Sequence, residues 1–151
     1  MKKIFIGCPI TKYLDHDVFT DDHFRAFIEG MYDLCSEYAD EVFLALKREE
    51  FGKKLMTDVC TELDFEEMKT ADLVVAIPED SKGTAVELGW ASAMKKKIIL
   101  VLDRNCRYTP LIYRLGDITE TISIWYDGTL DEEVLRRVSE AIKAIETANT
   151  L

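Results

Sequence analysis

Histidine is almost missing from this chain, with only His16 and His23, and the four cysteines, Cys8, Cys35, Cys60 and Cys106, form no CxxC pair. A histidine-rich or cysteine-clamped metal site is thereby excluded, although Asp and Glu could still hold a hydrated ion. No metal and no cofactor is expected. The cysteines read as reduced, packed thiols of a cytoplasmic protein. Long apolar runs are missing too: nothing approaches the roughly 18 residues that a membrane span needs. Met1-Lys2-Lys3 leads into only a few apolar residues, which is not a secretory signal. Bases are outnumbered, 19 Lys and Arg against 29 Asp and Glu, for a formal net charge of −10. Such a field repels a nucleic-acid polymer. It repels a small phosphate ester as well, so any phosphate pocket must bring its own donors. Neither GxGxxG nor GxxxxGK[ST] occurs, so the dinucleotide-fingerprint and P-loop readings lack their motifs. A phosphoacceptor receiver would need paired acids after the first strand, where Cys8-Pro9 stands.

What is present is alternation. Apolar runs at 3–7, 42–46, 73–77, 97–103 and 122–126 are separated by helical patterns. Phe24, Phe27, Met31 and Leu34 recur at helical spacing between the first two runs. Weaker patterns cover about 57–70 and 84–95, and a short one covers 110–115. The last begins at Leu130-Asp131-Glu132-Glu133 and carries a stripe of Val134, Val138, Ala141 and Ile145. No repeat, linker or low-complexity tract divides the 151 residues. The expectation is one α/β domain over 1–151, a doubly wound five-stranded parallel sheet of flavodoxin-like or Rossmann-like type. Ligands of such sheets bind beyond the carboxyl ends of the strands, where the strand order reverses. Here that point lies between the first and third strands, at residues 7–12 and 78–84.

The segment at that place reads ADLVVAIPEDSKGTAVELGWA: a buried strand, a polar glycine turn, then a helix. Thr84 is the expected N-cap, which puts Glu87 in the first turn beside free amides and the positive helix end. Two readings of Glu87 stand side by side. In Thr84-Ala85-Val86-Glu87 it closes a capping box; as a nucleophile it attacks a sugar anomeric carbon, as in retaining glycoside chemistry. Asp64, among Glu62, Glu66 and Glu67, belongs to a solvated acidic face or else assists a leaving base. Ser81 and Thr84 satisfy turn and cap amides, or bind a phosphate together with the Gly83 amide. Lys12 and Lys82 are solvated charges or offset the local acidity. Gly7, Gly83 and Gly89 serve tight turns and close packing. Phe5 is most simply core.

KIFIGCPI at the start, Asp64 seven residues before ADLVVA, and SKGTAVELGWA together resemble the nucleoside 2-deoxyribosyltransferase superfamily, which includes the 5′-monophosphate N-glycosidases. The likeness runs in order from Lys3 to about Asp103 and is looser over 17–54. It implies that Glu87 is the nucleophile and that Asp64 assists the leaving base or positions Glu87. Six residues before the nucleophile, the monophosphate hydrolases carry a phosphate-binding serine and the transferases an aspartate; this chain has Ser81, with Asp80 adjacent. Phe5 stands where deoxy-preferring members often carry tyrosine, a pattern similar to the CMP-type hydrolases. The hydrolases' basic residue falls on Thr11, with Lys12 next to it. Phe5 and Ile10 are expected to offer apolar contact, and Gly7 to lie at the site. Family members borrow site residues from a second subunit, which implies a homodimer or higher homo-oligomer and points to Thr109 and Arg114. The resemblance thus implies a small-molecule nucleotide or nucleoside substrate and an N-glycosidase acting on a nucleoside 5′-monophosphate. A base-exchanging transferase, a non-catalytic nucleotide-binding domain and a flavodoxin-like electron carrier are the alternatives.

Overall fold

A computed structural model describes residues 1–16 and 18–150. Asp17 and Leu151, counted in the expected domain, lie outside the described residues. Five parallel strands form the sheet: β1 (Lys3–Gly7), β2 (Glu41–Leu44), β3 (Leu73–Ala76), β4 (Lys97–Asp103) and β5 (Thr121–Tyr126). Their order is β2-β1-β3-β4-β5, the flavodoxin-like arrangement, so the reversal falls between β1 and β3 as expected. Register brings Gly7 level with Ala76 at that point.

Alternation along β1 shows why helices cover both faces. Ile4 and Ile6 point into one core with Leu73 and Val75, packed under α1 (Asp22–Ser36) and α4 (Glu132–Asn149) through Phe27, Met31, Val138 and Ile142. Phe5, Val74 and Ala76 point the other way, meeting Met68 of α2 (Cys60–Thr70) and Leu88 and Ala91 of α3 (Lys82–Ala93). The long amphipathic helices are well started. Asp21 accepts from the Phe24 amide, and Asp131 accepts from those of Glu133 and Val134; each cap contributes about 1 kcal/mol.

The structure departs from the sequence reading at several places, three of them with consequences for packing or for the site. The run at 42–46 leaves the sheet at Leu44, and Ala45–Arg48 forms a single helical turn in which Leu46 is still buried. An apolar run reports burial, not strand, and here the last residues are buried by a turn. Glu50, Phe51 and Gly52 then follow with φ of 49°, 53° and 98°. This left-handed stretch drives the Phe51 ring into the core, with the Arg25 guanidinium 4.0 Å from its centroid. Between β1 and α1, Leu14–Asp15 pairs antiparallel with Val18–Phe19, a short ladder that periodicity did not signal. Finally, α3 starts two residues earlier than the pattern implied, and that changes the reading of Glu87.

Candidate active site

Ser81, not Thr84, caps α3. Its Oγ accepts from the Thr84 amide at 3.2 Å, and the Thr84 hydroxyl donates to the same atom at 3.0 Å. Thr84 is itself buried in the first turn. The Ser81 amide bonds back to the Pro78 carbonyl at 2.7 Å, closing a turn in which Glu79 takes a φ of 38°. Glu87 therefore lies in the second turn, too far along to close a capping box, and the expected Thr84–Glu87 box is not formed. Its carboxylate is partly buried, and burial and neighbouring charges govern its titration, with no hydrogen bond contributing. A carboxylate without a cap to complete is available for chemistry.

It is placed by a missing side chain. A Cβ on Gly7 would stand 3.0 Å from Glu87 Oε2 and 3.4 Å from Thr84 Cγ2. The nearer approach is tighter than nine in ten real Cβ contacts, so glycine at the end of β1 lets α3 lay the carboxylate against the strand terminus without displacing it. The acid thus sits at the switch point. Burial, the charge of Asp64 and, opposing both, the charge of Arg48 leave Glu87 pushed up to about 8. Cys8, the next residue, is buried, and that burial, aided by the charges of Glu87 and Glu79, pushes its thiol up.

Asp64 is no solvated acid. Arg48 Nη1 donates to its Oδ1 at 2.6 Å, and the two side chains are 23% and 19% exposed. Arg48 Nη2 lies 3.5 Å from Oε2 of Glu49, whose residue is only 5% exposed and which also accepts from the Met56 amide at 2.8 Å. Neither Arg48 nor Glu49 was singled out in the sequence. The signal was available only as an unusual pairing, REEFG after an apolar run, and nothing in its spacing points at Asp64 sixteen residues on. Phe5 is 0% exposed, so in this chain it offers no surface to a ligand. Its ring packs on Phe43 (centroids 4.9 Å apart), and Phe43 lies beneath the Arg48 guanidinium at 5.4 Å. Its place is under the site, a correction to the expected apolar contact, and Ile10, half-buried, packs on the α1/α4 core instead.

Lys12 offsets the local acidity, one of its expected roles. Its ammonium is 2.5 Å from Glu79 Oε2 and 3.3 Å from Asp80 Oδ1, tying the loop after β1 to the loop after β3. The Tyr13 hydroxyl donates to the same Glu79 carboxylate at 2.9 Å. The Lys82 and Gly83 amides, at the first two positions of α3, have no backbone or side-chain acceptor among the described residues. Ser81, Gly83 and Thr84 are therefore together at the helix N-terminus as expected. Thr109 is exposed and caps Pro110–Tyr113, accepting from the Leu111 amide, with no hydrogen bond toward Glu87. Two surface cavities stand out, of about 280 and 400 Å³, and neither is lined by Glu87 or Asp64. The larger is at the amino end of the sheet, by Lys3 and Glu41, away from every group just described. The carboxylates themselves decide where the site is, because Glu87 and Asp64 bring burial and opposed charges to the end of β1. Among the described residues no cluster of three or more His, Cys, Asp or Glu could hold a metal ion.

The family described as nucleoside 2-deoxyribosyltransferase matches residues 13–144. The chain belongs to that family. Among solved structures it is similar to the CMP N-glycosidase BcmB of Clostridium botulinum, at 29% identity and TM-score 0.69 over 93% of this chain and 99% of that one. It is also similar to BlsM in solution, at 28% identity and TM-score 0.76 over 98% and 94%. A conserved protein of Enterococcus faecalis V583 shares the fold at 15% identity and TM-score 0.65, covering 95% and 98%. No curated protein sequence matches the chain. Members of the deoxyribosyltransferase family are enzymes that transfer or hydrolyse glycosyl bonds of small nucleosides and nucleotides, and this chain is an enzyme of that kind. No helix among the described residues is long and apolar enough to cross a membrane.

Proposed function

We propose that this deoxyribosyltransferase-family chain, a single domain throughout, is an N-glycosidase that hydrolyses the base–sugar bond of a nucleoside 5′-monophosphate. One observation carries the reading: an uncapped carboxylate, Glu87, laid over Gly7 at the switch point with a second carboxylate beside it. Ionised Glu87 attacks the anomeric carbon as the C–N bond breaks and its electron pair leaves with the base. Asp64 assists that departure, and the sugar is held as a glycosyl ester of Glu87. Water then attacks the same carbon and gives up a proton that balances the one taken up by the departed base, Glu87 is released as carboxylate, and the product is a sugar 5-phosphate. The unpaired Lys82 and Gly83 amides, the Ser81 hydroxyl and the positive end of α3 form the phosphate end. Likeness to a CMP N-glycosidase makes a cytidine nucleotide the first substrate to try.

One observation favours the second reading, base exchange on unphosphorylated deoxynucleosides. Lys12, a cation of the switch-point loops, is already neutralised by Glu79 and Asp80. A panel of ribo- and deoxynucleosides with their 5′-monophosphates, assayed for free base with and without a second base, separates the readings. Release from monophosphates alone supports the hydrolase; release only when an acceptor base is added supports the transferase. No turnover of any, with Glu87→Ala binding nucleotide as well as the parent, would mean a binding domain.

Ser81 offers a sharper test. Its hydroxyl caps α3, so alanine there would weaken the helix as well as the site. Glycine keeps the cap to within a few tenths of a kcal/mol. Ser81→Gly is expected to raise KM for monophosphates roughly tenfold, about the value of one hydrogen bond to a charged group, and to leave KM for nucleosides unchanged. Equal effects on both substrate classes would remove Ser81 from the phosphate site.

We place the enzyme in the cytoplasm, in keeping with four unpaired cysteines, and as a homo-oligomer. Leu111, at 83% exposure, and Ile118, at 55%, leave apolar surface beside Thr109 and Arg114 that a second copy would cover.

A further inference from the structure

The turn after β2 is expensive in the absence of a task. Arg48 is largely buried, and its Nε and Nη2 have no hydrogen-bond partner among the described residues. The backbone behind it runs through two left-handed non-glycine residues, Glu50 and Phe51, each unfavourable by about 1–2 kcal/mol. A buried carboxylate, Glu49, stands behind the guanidinium as well. Apolar packing at such a position is often as stable as the ion pair or more so.

We propose that Arg48, clamped between Glu49 and Asp64 on the Phe43 ring, is a positioning residue that fixes Asp64 beside Glu87 and supplies the opposing positive charge for that carboxylate pair. The proposal rests on the reading of Glu87 as nucleophile. The groups that face Glu87 are Asp64 from α2, Arg48 from the turn after β2 and Cys8 from the end of β1, with Glu79 beyond Cys8 on the loop after β3. Of these only Arg48 is cationic. Burial and Asp64 drive Glu87 toward its protonated form, and Arg48 works against both. A nucleophile must be the carboxylate, so the fraction of Glu87 able to react at a given pH depends on that one cation. The guanidinium makes no contact with the reacting atoms in this scheme; it acts through Asp64 and through its field.

The test is a carboxyl ¹³C NMR titration of Glu87 in the ligand-free protein, assigned by its loss in Glu87→Gln. The pH profile of kcat/KM for base release is followed alongside. Arg48→Met is expected to move the Glu87 midpoint upward by about one unit or more, the usual effect of one adjacent cation, and to carry the rising limb of the profile up with it. Arg48→Lys, which keeps the charge, is expected to restore both. If Arg48→Met alone does not fold, Arg48→Met with Glu49→Gln removes the orphaned carboxylate and carries the same comparison. An unmoved midpoint, or a rate lowered by one factor at every pH, overturns the proposal, because a purely structural residue would give that result. A midpoint that moves in a protein releasing no base from any nucleoside or nucleoside 5′-monophosphate supports the placement of Arg48 and sinks the glycosidase reading instead.

Discussion

Glu87→Gln is expected to abolish base release and to melt at a higher temperature than the parent. The first half follows from the loss of the attacking oxygen anion. The second follows from where the proton is held. In the unfolded chain this carboxyl titrates near 4.5, whereas in the fold it is pushed up to about 8. Folding therefore binds a proton between those values. The stability tied to that proton is fully present below about pH 4.5 and is lost progressively as pH rises toward and through 8. At neutral pH the deficit is about 3 kcal/mol. Glutamine never carries the charge and so never incurs it. Melting curves at pH 5 and pH 8 should show the two proteins close together at the lower pH and separated by several degrees at the higher one. If the glutamine variant melts below the parent at both, the carboxylate is a structural group and the nucleophile must be sought elsewhere.

Gly7→Ala is expected to depress kcat several-fold, up to about 10-fold, while leaving the protein folded. The added methyl would stand 3.0 Å from Glu87 Oε2, inside contact distance, and 3.4 Å from Thr84 Cγ2. Thr84 is buried and bonded to Ser81, so the carboxylate is the group that yields. Relief takes a shift of a few tenths of an ångström, and since about 1 Å at a reacting atom costs on the order of 100-fold, the smaller shift is expected to cost a fraction of that. Gly89→Ala on the same helix is the control, because a Cβ there meets nothing within 4 Å. It should keep full activity and gain up to about 1 kcal/mol from helix propensity. Equal activity in the two variants would show that the approach of Glu87 to β1 has no bearing on catalysis.

The sheet was legible because its evidence is local and repeated. β1 and β4 lie at 3–7 and 97–103, as the apolar runs indicate, and strict alternation with helices leaves few topologies. Glu87 was legible as a candidate because strand, turn and helix are contiguous around it. Its competing role was not: Ser81 and Thr84 are both good caps, and only the Pro78–Ser81 turn, closed by a backbone bond, decides between them. Arg48 was invisible for a different reason. Its partner Asp64 lies across a loop and a helix start, and no period or motif encodes a contact of that kind. Lys12 was legible only in part. A lone base among acids invites a phosphate, but the nearest anions in space are its own neighbours across the switch point, Glu79 and Asp80. Phe5 was read both ways, and its full burial under Phe43 follows from an odd position in a strand covered on both sides.

The two cores separated by the sheet have a practical consequence for redesign. Glu87 and Asp64 hang from α3 and α2, on the side that also holds Phe5, while α1 and α4 on the opposite side contribute the larger apolar mass. Consensus or cavity-filling changes aimed at a hardier protein can be confined to that opposite layer. A library built there should yield thermotolerant variants whose turnover is untouched, whereas one drawn from the α2–α3 layer should trade one property against the other.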